Sequence, residues 1–277
     1  ECSCGEGVSF SGSKLMIQQW LMEQKIPTFW LLDQQAFKCV IAANNGIGFD
    51  GTQILFHGET FAPVMSLSPW LIPVSDKVLE LSDELLQQGI FLTSHSSTSE
   101  LLSHLQSLLV AALEGEEVLF RFYDRQVILP MLDAMRDLER NDFLGPVEKL
   151  AAVKQGVFQE WGNTRSFEFI YQPAPWWKIQ PYHLMPLYRT EVHAQVLERR
   201  FWEKLPYVME QLDEPQQSIK TILDEAKKAN LGHDNAEYLV LNHLWKASLT
   251  TLEQMSDALH LNQQELQEIM QIREKLA

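Results

Sequence analysis

Apolar positions change period along this chain, and the changes divide it. In "SKLMIQQWLMEQ" (13–24), Leu15, Met16, Gln19, Trp20 and Met22 fall near helical spacing, which predicts a first helix. "PTFWLLD" (27–33) is a continuous aromatic and aliphatic run behind Pro27 and predicts a strand. "FKCVIAAN" (37–44), "TQILFHG" (52–58) and "WLIPVS" (70–75) read as three more strands, with Pro73 marking an edge or an end. Helix and strand then alternate. "DKVLELSDELLQQG" (76–89) gathers Val78, Leu81, Leu85 and Leu86 on one helical face, and Gly89 can close it. "IFLTS" (90–94) is a short strand. Residues 96–113 open with Ser97 and Glu100 in capping-box spacing and carry a Leu101, Leu105, Leu108, Leu109 stripe. "EVLFRFY" (117–123) reads as a strand. Val127, Ile128, Met131, Leu132, Met135 and Leu138 predict a helix that Pro130 kinks or delays. "GVFQEWG" (156–162) and "SFEFIYQ" (166–172) suggest a closing hairpin around Asn163-Thr164.

Strands alternating with helices predict an α/β lobe over 1–172, in which helices flank a mixed β-sheet. The short loops between the first strands supply its antiparallel part. Pro173, Pro175, Pro181 and Pro186 then mark a stiff Pro/Trp-rich connector over 173–186. From 187 to 277 only helical periodicity remains. Leu197, Phe201, Leu205, Val208 and Leu212 share one face with Pro206 at a bend, and Ile219, Ile222, Leu223 and Ala226 form a second stripe. The expectation there is an all-α lobe. Trp176 and Trp177 are expected to pack between the lobes, since adjacent indoles in a connector favour burial.

Charge narrows the partners. The net charge is −15, with −11 on residues 1–150 (9 basic against 20 acidic) and −4 on the remainder (13 against 17). That disfavours nucleic acid and anionic membranes and suits solvation or a basic protein partner. "LTTLEQMSDALHLNQQELQEI" (249–269) has helix-turn-helix spacing. However, residues 249–277 hold two cations against five acids, so a helical hairpin packed on its own lobe is expected. No apolar run reaches spanning length and no signal-peptide core follows a basic start, so the expectation is a cytoplasmic protein without membrane insertion. The chain opens on Glu1, which leaves its native start undefined. Cys2, Cys4 and Cys39 form no disulfide framework, and "ECSCGEG" supplies too few ligands for zinc.

Chemical motifs are sparse. Gly46, Gly48 and Gly51 satisfy G-x-G-x-x-G formally. The segment after them reads as strand, though, so a turn is expected rather than a dinucleotide cradle. The eight histidines form no H-E-x-x-H or tight Cys/His group, and no G-x-S-x-G elbow occurs. No catalytic residue, metal ligand or cofactor is assigned. The stretch that stands out is "LFRFYDRQ" (119–126), a strand end crowded with charge and aromatics at a helix start. Alternation puts Phe120 and Phe122 on one face and Arg121 and Tyr123 on the other. Arg121 then needs a carboxylate, with Asp124 and Asp33 the candidates. Asp124 also suits a helix N-cap. Two readings stay open: the cluster serves only to pair and cap, or Tyr123 or Arg125 faces outward toward a partner.

"FWLLD" (29–33), "SPWLIPV" (68–74), "GIFLTS" (89–94), "ELLSHLQSLL" (100–109), "LFRFYDRQVILPML" (119–132) and "FLGP" (143–146) follow one another in an order that resembles the Tap-like and VasW-like effector adaptors of the bacterial type VI secretion system. The likeness runs over roughly residues 27–150. Arg125 stands where that family commonly has Pro, and the helical lobe matches only loosely. The resemblance implies a non-enzymatic cytoplasmic adaptor or chaperone. It would hold a secreted effector protein and help load it onto the VgrG spike protein. It favours a partner-binding role for Arg121, Tyr123, Asp124 and Arg125. Two rivals remain on sequence grounds: a hydrolase with a dispersed active site, and an acidic regulatory module that binds other proteins.

Overall fold

The computed structural model describes residues 11–165, 169–229 and 231–276. The Cys2–Cys4 tail lies outside them, as do 166–168 of the expected closing strand. The chain divides into two compact units, Glu1–Leu187 and Tyr188–Ala277.

The first unit is an α/β layer structure, as the alternation predicts. Its strands are β1 (Thr28–Leu32), β2 (Gln53–Ile54), β3 (Trp70–Pro73), β4 (Ile90–Thr93), β5 (Val110–Leu113), β6 (Glu116–Leu119), β7 (Lys149–Lys154), β8 (Val157–Gly162) and β9 (Lys178–Ile179). Its helices are α1 (Ser11–Glu23), α2 (Gln34–Ala43), α3 (Gly58–Phe61), α4 (Asp76–Leu79), α5 (Asp83–Leu86), α6 (Thr98–Ser107), α7 (Arg125–Ala134), α8 (Asp137–Leu144) and α9 (Pro181–Leu184). Six strands form the main sheet in the order β2-β3-β1-β4-β7-β8. Every neighbouring pair in it is antiparallel. Parallel pairing is confined to a three-stranded sheet, β6-β5-β9, between β5 and β9.

Period-two alternation sorts the main sheet's side chains into two cores. Phe29, Leu31, Leu71, Ile90, Leu92, Leu150 and Ala152 face one, which α6, α7, α8 and the small sheet cover. Trp30, Leu32, Ile72, Phe91, Ala151 and Val153 face the other, under α1, α2, α4 and α5. All five residues of β1 are buried, which is why "FWLL" (29–32) is a continuous apolar run behind Thr28.

Several predicted elements change type. Residues 37–43 are helical, as most of α2, and Asn44 is its C-cap, where a strand was expected. Asp33 caps that helix by accepting from Ala36 N at 2.8 Å, and Ala36 and Val40 point into the core. The Gly46–Gly51 loop therefore follows a helix, the reverse of a dinucleotide fingerprint, with Asn45 and Gly46 in the left-handed region. The 76–89 helix is two single turns, α4 and α5. The 96–113 helix keeps its Ser97/Glu100 capping box but ends at Ser107, whose hydroxyl donates to His104 O at 2.7 Å. "VAAL" then pairs with two strands as β5. The hairpin is β7–β8, turning at Gln155-Gly156, and 169–172 form no strand.

The 173–186 segment packs within the first unit. Trp177 is 5% exposed in its core and meets Phe143 and His183. Trp176 packs against the same core and donates to Ser107 Oγ at 2.9 Å.

The second unit is all helical: α10 (Thr190–Lys204), α11 (Pro206–Met209), α12 (Pro215–Lys228), α13 (His233–Ala247), α14 (Leu252–Leu259) and α15 (Gln263–Gln271). Both predicted stripes are buried here, except that Leu212 is only partly so. The α14–α15 hairpin carries capping boxes at Thr251/Gln254 and Asn262/Glu265. It docks on α13 through Met255 and Ile269, and Asn242 Nδ2 donates to Ile269 O at 2.6 Å.

Candidate partner-binding site

β6 stops at Leu119, and the chain turns instead of running on. Phe120 N still donates to Leu109 O at 2.9 Å, and then Asp124 N closes a turn onto Arg121 O at 3.0 Å. Strand alternation ends with it. Phe120, Phe122 and Tyr123 all point inward and form edge and tilted contacts with one another, with Phe143 and with Phe56. Tyr123 is 8% exposed, which corrects the expectation that it faces outward: a turn can send two successive side chains to one side. Burial pushes its phenol above the usual range. Arg121 opposes that shift, and the carboxylates of Asp124 and Asp33 add to it.

Arg121 is the residue the turn presents, with its side chain 60% exposed. Its Nη2 donates to Asp124 Oδ2 at 3.0 Å. Of the two carboxylates considered, Asp124 is therefore the partner. Its other oxygen accepts from Gln126 N at 2.9 Å and caps α7, so one side chain serves the helix start and the ion pair together. Arg125, half-buried, turns back and donates to the Gln87 carbonyl. Asp33 directly follows β1, and Gln87 lies shortly before β4. The four candidate residues and Asp33 thus gather at one end of the main sheet, where α2 and α7 both begin. Gly89 fits this crowded end because its φ is +72° and a Cβ there would lie 2.3 Å from Leu31 O.

Two groups escaped the sequence reading. His104 on α6 is buried, donates from Nε2 to Phe143 O at 2.9 Å, and has its pKa lowered to about 4 by desolvation. Gly145 of "FLGP" lies over the ring: a Cβ there would be 2.5 Å from His104 Cε1. In the second unit, α10 and α13 bring His193 together with His233 and Glu237. The i, i+4 spacing of His233 and Glu237 was visible in the sequence. His193, forty positions earlier, was not linked to them.

No curated protein and no solved structure matches the chain. No described helix is long and apolar enough to cross a membrane. Residues 28–142, rather less than half of the chain, match the family model described as a domain of unknown function (DUF4123), a span that begins with β1 and contains the whole "FRFYD" turn.

Proposed function

We propose that this protein is a non-catalytic adaptor that binds a type VI secretion effector in the cytoplasm and helps load it onto the VgrG spike. The ordered motifs that resemble the adaptor family fall almost entirely within the matched span. The observation that carries the reading is the construction of the turn. Three inward aromatics anchor five residues so that a guanidinium and its carboxylate stand at the surface in one fixed arrangement. Preorganised Arg side chains suit protein recognition because little rotamer freedom is lost on binding. With Tyr123 buried, Arg121 takes the contact role, Asp124 orients it and Arg125 secures the turn.

Arg121→Ala is the clean test, since it removes an exposed side chain. The tagged chain and the variant are expressed in a type VI-positive cell, co-purifying proteins are identified, and the captured effector is titrated calorimetrically. The expected loss is about 5- to 30-fold in affinity, with stability changed by less than about 1 kcal/mol because an exposed ion pair contributes little. Wild-type affinity in the variant would remove the turn from the binding site. Absence of any secretion-system protein among the captured partners would overturn the adaptor reading itself.

A further inference from the structure

Glu237 Oε1 is approached by two imidazoles. His193 Nε2 lies 3.3 Å away and His233 Nε2 3.5 Å away, and the three ligand atoms all sit within 4.8 Å of one another. The rings stack with centroids 4.5 Å apart and 12° between planes; near-parallel rings do not share an in-plane ion, so binding turns the exposed His233 ring out of the stack. Tetrahedral zinc with ligand bonds of 2.0–2.1 Å has ligand–ligand edges of about 3.3 Å, and two of the three separations here are close to that. We propose that His193, His233 and Glu237 form a binding site for a divalent transition metal of the Zn²⁺ type.

The surroundings are those of a ligand set. α13 supplies His233 and Glu237 one turn apart, and α10 supplies His193 across the interhelical contact. Tyr188 OH lies 2.7 Å from His193 Nδ1. With Nε2 on a metal, Nδ1 carries the proton and donates to the Tyr188 oxygen, which fixes the tautomer as outer-shell partners of metal-bound histidines do. Glu237 Oε2 accepts from Arg200 Nη1 at 3.2 Å, which orients the carboxylate and leaves Oε1 for the metal. His193 is buried and His233 is 64% exposed, so one ligand is held in the unit and one opens to solvent. Two imidazoles with one carboxylate favour a borderline ion over Mg²⁺ or Ca²⁺, which prefer all-oxygen sets. Three protein ligands leave the fourth tetrahedral position for water or for a donor group on another molecule.

The test is titration of tag-free, metal-stripped full-length protein with Zn²⁺ by calorimetry, with Co²⁺ absorption as a second readout. One ion should bind per chain with micromolar affinity, and the Co²⁺ spectrum should lack thiolate charge-transfer bands. His233→Ala, an exposed substitution, and Glu237→Gln should each weaken binding by at least about tenfold. Tyr188→Phe should weaken it by about tenfold through loss of the outer-shell bond. A Cys2→Ser/Cys4→Ser double variant should bind like the parent. No saturable binding, binding unchanged in both His233→Ala and Glu237→Gln, or binding lost with the two cysteines would each overturn the site.

Discussion

Arg121 and Tyr123 are two residues apart and have opposite environments: one is presented to solvent, the other packs on Phe56 and Phe122. The Arg121–Asp124 pair was legible because Asp124 was the nearest acid in the sequence, although Arg121 is exposed and the burial expected to demand a carboxylate does not occur. The orientation of Tyr123 was not, because alternation holds only while the strand continues. At this scale His104 gives a pH prediction. Its ordinary pKa of 6.5 falls to about 4 in the fold, because a buried imidazolium is desolvated. Between those values the unfolded chain binds a proton that the folded chain does not. Stability should therefore be unaffected by this group above pH 6.5 and decline as pH falls toward 4, by a total on the order of 3 kcal/mol. Denaturant melts at a series of pH values check this. His104→Gln should be less stable at neutral pH yet lose less stability across that interval. An equal decline in both proteins would mean that other groups control the acid limb.

Element types were read best where side-chain pattern and capping agreed. The Ser97/Glu100 box fixed the start of α6, and the apolar run 29–32 marked β1. "FKCVIAA" misled because β-branched and aromatic residues favour strands, while the deciding signal lay upstream in Asp33, whose carboxylate takes an otherwise orphaned N–H of α2. "LVAAL" misled because a helical leucine stripe runs straight into it, whereas pairing with β6 and β9 decides its conformation. Asp33→Ala should then cost about 1 kcal/mol and Asp33→Ser only a fraction of that, measured by chemical denaturation. If Ala and Ser prove equally costly, Asp33 acts through its charge near Tyr123 rather than as a cap. Gly89→Ala should cost more than either, because it combines a positive φ with a backbone clash on Leu31.

For the whole molecule, the change from mixed to purely helical periodicity located the two units, while the connector's composition did not reveal where its residues pack. Proline and tryptophan suggested a spacer. Instead β9 joins β5 from 66 positions away, a pairing that no local pattern announces, and Trp177 fills the first unit's core. Among the described residues, two hydrophobic cores lie within Glu1–Leu187 and one within Tyr188–Ala277. A core defect in one should therefore remain local. Leu223 on α12 is fully buried among Leu197, Leu239 and their neighbours. Leu223→Ala should destabilise the helical unit by about 2–5 kcal/mol, from lost burial and the cavity left behind. Hydrogen exchange read by mass spectrometry should show faster exchange through α10, α12 and α13 and unchanged protection in β1, β4 and β7. The same variant should keep effector affinity if the "FRFYD" turn carries binding, and should lose Zn²⁺ affinity, because His193 and the His233–Glu237 pair sit on separate helices that this core holds together. Faster exchange throughout the main sheet would instead show that the two units unfold as one.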